Sequence, residues 1–319
     1  MISFIIPFST IEKDKFLNLN EKEDLWKENY YANIIYSTLK TIKNISSLKC
    51  EKEILLIDNS RTWDDRIERW YPDITLPNVR VIKGWQALPL EELKKIPEYM
   101  NHKDIQASLD NLGCLTMWVS IAFHQGIQEA KGEYVVLQHN DTFYNQDCID
   151  EMTEHMKEEE LEYISVDNKK IWISTYLLHK KMLDKYIKSY SAQIVQMRPE
   201  SGGCVRTIKL GFADAYFFLC KRNFFDNYNI DWRYGDTNHG ATIYCLENNL
   251  KYLHLGPYYD NPNWETEDKL HTYYYKDEPF LTHLKGGFSE GKMSLPALGA
   301  EYSRYMEEMS NIQIKEIKK

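Results

Sequence analysis

The chain alternates short runs of apolar residues with longer stretches of helical period. "SFIIPF" (3–8), "EILLIDNS" (53–60), "NVRVIKG" (78–84) and the run Tyr134–Leu137 carry few polar positions. Runs of this length and kind predict strands buried on both faces. Pro7 and the polar Ser9-Thr10 are expected to end the first of them. Between the strands, "NEKEDLWKENYYANIIYSTLKTIKNI" (20–45) has helical spacing: Trp26, Tyr30 and Ile34 lie four apart, and Ile35, Leu39 and Ile42 continue the face. Asn20 followed by Glu23 resembles a capping box. In "MWVSIAFHQGIQEAKG" (117–132), Trp118, Ala122, Gly126 and Ala130 line one face, and Gly132 suits the residue after a helix end.

The order through residue 143 is therefore β-α-β-β-α-β. It predicts an α/β fold: a mixed, mostly parallel sheet flanked by helices. Ligands of such sheets bind at the C-terminal ends of the strands. Two of those ends are polar, Asp58-Asn59-Ser60 and His139-Asn140-Asp141-Thr142, and both point at one crevice. Residues 85–116 lack a clear period and are expected to form an inserted loop. In the second half, 147–159 predicts an acidic amphipathic helix, and 171–178, 214–220 and "LKYLHLG" predict strands. A helix is expected from about Asn238. Residues 260–297 are expected to be loop-like, and a terminal helix with a basic end should follow.

Composition narrows the function. The 319 residues are 43% hydrophobic and 27% charged, as in a soluble globular protein. A formal net charge of -9 argues against a primary role on nucleic-acid phosphates; peripheral contact with a membrane stays open. Tyr outnumbers Phe, 23 to 12, which an A/T-rich coding sequence also produces. Cys50, Cys114, Cys148, Cys204, Cys220 and Cys245 form no C-x-x-C pair and read as reduced, mostly buried thiols of a cytoplasmic protein. "ISFIIPF" is too short for a signal segment, and no run reaches the roughly 18 apolar residues of a membrane span.

No G-x-G-x-x-G follows the first strand, and neither a G-x-x-x-x-G-K-[ST] loop nor a G-x-S-x-G elbow occurs. Dinucleotide dehydrogenases, P-loop enzymes and α/β-hydrolases are disfavoured. The positive signal is the block "AFHQGIQEAKGEYVVLQHND" (122–141), with the Pro7 strand, the Asp58 strand and "RYGDTNH" (233–239). Together they resemble the family 2 glycosyltransferases of the GT-A fold. Ala122, Gly126, Ala130, Gly132, Glu133 and Tyr134 match that family's helix-to-strand pattern. His124 stands where Asn is usual, and the family's D-x-D falls on His139-Asn140-Asp141.

The resemblance implies a Rossmann-like single domain with two functional halves. Residues 1–145 would bind a nucleotide-diphosphate sugar, 146–285 would bind a glycan, lipid-linked or other hydroxyl acceptor, and 286–319 would form a helical tail. It implies a divalent metal, Mn2+ or Mg2+, on Asp141, with His139 replacing an acid and His283, from "THLKGGFS", as a further ligand. Pro7, Asp58, His124, His139 and Asn140 would line the donor site. Asp236 would be the general base; Gly235 stands where the family has Glu. A helix cap is the plain alternative for Asp236-Thr237, and an Asx turn for Asp58. Arg198 and Arg206 flank a Gly-bearing loop. Two other readings stay open, a sugar-1-phosphate nucleotidyltransferase and a binding module without turnover. The first needs a Gly-rich basic loop after strand one, and "PFSTIEKDK" has no Gly.

Overall fold

The first apolar run shows why these segments become central strands. In the computed structural model, β1 (Ile2–Phe8) gives Ile2, Phe4, Ile6 and Phe8 to one hydrophobic cluster and Ile5 to another, all buried. The structure describes residues 1–8, 37–60, 78–85, 92, 95, 115–168, 170–172, 192–193, 204–206, 212–228, 239–256 and 271–283. The helix over 37–47 (α1) is followed by β2 (Lys52–Asp58), β3 (Val79–Lys83), α2 (Leu115–Glu129), β4 (Tyr134–Gln138) and β5 (Thr142–Tyr144). Next come α3 (Ile149–Glu158), β6 (Tyr163–Asn168), β7 (Lys170–Trp172), β8 (Ala192–Gln193) and β9 (Cys204–Arg206). The last are β10 (Phe212–Lys221), α4 (Phe224–Asn227), α5 (His239–Asn248), β11 (Leu253–Leu255), β12 (His271–Tyr275) and β13 (Glu278–His283).

The main sheet has seven strands in the order β11-β6-β10-β4-β1-β2-β3. β1 pairs in parallel with β2 and β4, β2 with β3, and β6 with β11; only β10 runs against its neighbours. This is the mixed, mostly parallel sheet expected, and it is continuous across residue 145. Helices cover both faces. Leu39, Ile42 and Ile45 of α1 and Ile149, Met152 and Met156 of α3 pack on the Phe4 face. Ala122, Phe123 and Ala130, at α2 and just beyond its end, pack with Ala241 and Cys245 of α5 on the Ile5 face. Cys50, Cys148, Cys220 and Cys245 are buried free thiols. Among the described residues no helix is long and apolar enough to cross a membrane.

Three expectations need correction. Pro7 does not end β1, which runs through to Phe8. The amides of Ile2 and the carbonyl of Phe8 bond toward β2, so in a parallel strand the odd residues point their backbone at β4. The β1–β4 register stops at Ile5↔Leu137. Pro7, lacking an N–H, is the next residue facing β4, so it ends that ladder alone and lets β4 leave β1. Gly132 has no left-handed φ; its constraint is contact, since a Cβ there would lie 2.7 Å from the Ser3 amide nitrogen. Residues 260–297 are not all loop. β12 and β13 form a hairpin whose turn, Lys276-Asp277, has φ of 48° and 64°. That is the geometry of a type I′ turn without the usual Asn-Gly signal, which is why the sequence reading missed it. Residues 9–36, most of 85–116, 173–191, Gly286-Gly287 and the terminal helix lie outside the described residues.

The small face of α2 sets how closely that helix approaches the sheet. A Cβ on Gly126 would sit 2.2 Å from Cγ2 of the fully buried Ile5. Ala in a helix interior gains roughly 1 kcal/mol over Gly, but overpacking costs about 1–3 kcal/mol. Gly126→Ala should therefore lower stability on balance, read as a reduced denaturant midpoint with an unchanged slope. A raised midpoint would contradict the close approach.

Candidate metal-binding site at the end of the fourth strand

β4 is buried throughout, and the chain turns as soon as the strand loses β1. The turn is tied down by α1. Thr41 donates from its hydroxyl to the carbonyls of Asn140 (2.9 Å) and Thr142 (3.3 Å), and Asn140 Nδ2 donates to Thr38 Oγ1 (2.8 Å). The chain then re-enters a sheet as β5, which pairs antiparallel with β13. In that register Thr142 lies opposite His283. A residue distant in sequence is thereby set beside the turn.

Three ligating groups converge there. The carboxylate oxygen of Asp141 and ring nitrogens of His139 and His283 all lie within 4.8 Å of one another. Asp141 Oδ1 is 3.2 Å from His283 Nε2. His283 is 1% exposed and Asp141 9%. Burial dominates the titration of His139 and pulls its pKa down to about 4; the Asp141 carboxylate opposes the shift and His283 adds to it. His139 is thus neutral at pH 7, with a lone pair to offer. Two imidazoles and one carboxylate make a mixed nitrogen and oxygen donor set, which a divalent transition ion accepts more readily than Mg2+ with its preference for all-oxygen shells.

An aromatic ring completes the cluster. Tyr216 stacks on His283 with centroids 3.6 Å apart and planes at 21°, and meets the edge of His139 at 4.9 Å. Sequence reading passed over Tyr216 as one strand residue among many aromatic ones. It also missed Thr38 and Thr41, which look like ordinary helix positions.

The other expected residues are placed as follows. Asp58 ends β2, fully buried, on the opposite side of β1 from His139. Its Oδ1 accepts the Ser60 amide at 2.9 Å, so the Asx turn forms, and its carbonyl accepts the Gly84 amide at 2.7 Å. A Cβ on Gly84 would lie 1.7 Å from Asn59 Oδ1, so the Asn59 side chain would have to move. His124 sits on α2, away from the cluster; its ring meets Trp85 at 5.9 Å and Gln128 Nε2 lies 3.0 Å from its Nε2. The neighbouring Gln125 bonds the backbone of Lys83 and Trp85. Asp236 and Arg198 lie outside the described residues, as does the side chain of Arg206.

Residues 98–228 match the family model described as Glycosyl transferase family 2. That segment is similar to glycosyl transferase family 2. No curated protein matches the chain. Similar solved structures include core-mannan synthase A (CmsA/Ktr4) from Aspergillus fumigatus in its Mn/GDP form, at 13% identity and TM-score 0.35, over 70% of this chain and 60% of that one. Another is the mannosyltransferase Ktr4p from S. cerevisiae in complex with GDP, at 11% identity and TM-score 0.38, over 79% of this chain and 68% of that one. The chain thus spans less than two thirds of the first. At these scores the fold assignment rests on this chain's own strand order. The matched segment contains His139, Asp141 and Tyr216 but neither Asp58 nor His283. The fold, through β13, is what adds His283.

A stability profile tests the burial of His139. Its folded pKa lies below the ordinary 6.5, so between about 4 and 6.5 the unfolded chain binds more protons. Stability should rise with pH across that window and be lost on acidification. With chelator present, His139→Gln should flatten the urea midpoint's dependence on pH there. An unchanged slope would show that His139 is not held neutral.

Proposed function

We propose that this protein transfers a glycosyl group from a nucleotide-diphosphate sugar to an acceptor hydroxyl, using a divalent ion held by His139, Asp141 and His283. The observation that carries this reading is the convergence of those three side chains at the C-terminal edge of a mostly parallel sheet, two of them inside the segment that matches the family 2 model. The donor set fits an ion: one carboxylate, one imidazole kept neutral by burial, and a second imidazole on a fixed strand end. A bound divalent ion supplies positive charge that offsets the negative charge developing on a departing diphosphate.

The chain's own residues have separable tasks. Asp141 brings the only carboxylate of the cluster, so it sets the site's charge. Asn140, anchored to Thr38, holds the turn that presents Asp141. Asp58, fixed by the Ser60 amide, offers a carboxylate acceptor for base or ribose hydroxyls across β1. Pro7 keeps the space between them open by ending the β1–β4 ladder. Asp236, by the family resemblance, takes the proton of the acceptor hydroxyl as it attacks the anomeric carbon in line with the departing diphosphate, with inversion. The cytoplasmic location belongs to the same proposal, on the scattered cysteines.

A donor panel decides the matter. The full-length protein, offered UDP- and GDP-sugars, should release nucleoside diphosphate with Mn2+ and less with Mg2+. Chelation should stop release, and Asp141→Asn should lower it by about 100-fold or more. Asp236→Asn keeps a capping side chain yet should cost roughly 10²–10⁴-fold in turnover. Pyrophosphate release from a nucleoside triphosphate and a sugar phosphate would identify a nucleotidyltransferase instead. Nucleotide binding with no transfer would identify a binding module.

A further inference from the structure

The main sheet carries one large irregularity, and it lies beside the metal-ligand cluster. β10 pairs Ala213 with Asp167 of β6, then resumes at Phe218 opposite Ser165. β10 thus spends more residues than β6 over this interval, and 214–217 bulge from the ladder. Bulges of this kind turn a side chain toward a place the regular pleat would not reach. The buried hydroxyl of Ser165 fills the bulge. It donates to the Phe217 carbonyl (2.8 Å) and the Asp214 carbonyl (3.3 Å), and lies 3.1 Å from the Asp214 amide that donates to it. Asp214 Oδ1 then accepts the Tyr216 amide at 3.1 Å. The residue held this way is Tyr216, the ring that stacks on His283 and abuts His139.

An imidazole ligates a cation through a lone pair in its ring plane. Rotating the ring takes that lone pair off the ion, whereas a carboxylate has several lone pairs to offer. Ligand imidazoles are usually fixed by a hydrogen bond from their second nitrogen. Here a phenol ring lies parallel to one imidazole and perpendicular to the edge of the other, and the two imidazoles are themselves inclined at 71°. A stacked ring excludes rotation by contact and dispersion without demanding a particular tautomer.

We propose that Tyr216 is a positioning residue that fixes the ring planes of His139 and His283, so that both nitrogens face one ion. It acts through these rings rather than on substrate. The proposal rests on the metal-binding reading of the cluster.

Metal affinity, not turnover, provides the test. Mn2+ titration calorimetry and the visible absorption of the Co2+-loaded protein are measured on the full-length chain and on Tyr216→Phe, Tyr216→Leu, Tyr216→Ala and His283→Ala. Phe keeps the flat ring and should bind Mn2+ within about threefold of the parent. Leu keeps bulk but not the plane, and with Ala should weaken binding by about 10-fold or more, with a shifted Co2+ band. Far-UV circular dichroism of the metal-free variants checks folding, and the Phe–Leu pair decides the case if Ala does not fold. Parent-like affinity and an unshifted band in Leu, with binding lost in His283→Ala, would overturn the role of Tyr216 and leave the metal site intact. If the parent binds neither ion, or His283→Ala binds as the parent does, the metal reading fails and this inference fails with it.

Discussion

The pairing of β5 with β13 is the interaction on which the candidate site depends. β4 delivers His139 and Asp141 to the edge of the sheet, but their third partner comes from a hairpin much later in the chain. Three backbone pairs, Leu281↔Tyr144, Thr282↔Phe143 and His283↔Thr142, bring it there. The hairpin is held from both sides. Phe280 and Leu281 are fully buried in the α1–α3 core, Lys276 pairs with Glu151 of α3, and Asn145 donates its amide to the carbonyl of Phe280. A slip of one residue would turn His283 to the other face of its strand, so register and chemistry are the same constraint here.

Much of this was legible in the sequence, for a physical reason. Strands buried on both faces must be apolar at nearly every position, so β1, β2 and β4 announce themselves. The period of α2 was equally plain, because its small residues face a sheet that leaves no room. The polar turn after Leu137 stood out against that background, and a D-x-D-like triplet after a helix of family 2 pattern gave it a role. His283 was suggested by resemblance alone. Its partner Tyr216 carried no signal, since a bulge is a mismatch between two strands and cannot be read from one. The hairpin was hidden because Lys-Asp, not Asn-Gly, makes its turn. Pro7 does not end its strand; it stops one ladder of it.

The composition of the cluster departs from a paired-acid site in charge as well as in ligand type. A second carboxylate in place of His139 would add a negative charge a few ångströms from Asp141, at a half-buried position where water screens like charges only in part. A neutral imidazole avoids that repulsion. It also makes the empty cluster easier to bury, which agrees with the near-complete burial of His283 and Asp141.

The distance in sequence between Thr142 and His283 has a consequence for how the protein is made. A chain emerging from the ribosome acquires β1, β2, β4 and the whole of the matched segment, 98–228, before residue 283 exists. During that interval the strands of the N-terminal half can begin to associate while the cluster still lacks its third side chain. That side chain takes its place only when β13 pairs with β5. The cluster of His139, Asp141 and His283 is thereby completed only after the whole of residues 98–228 has been built.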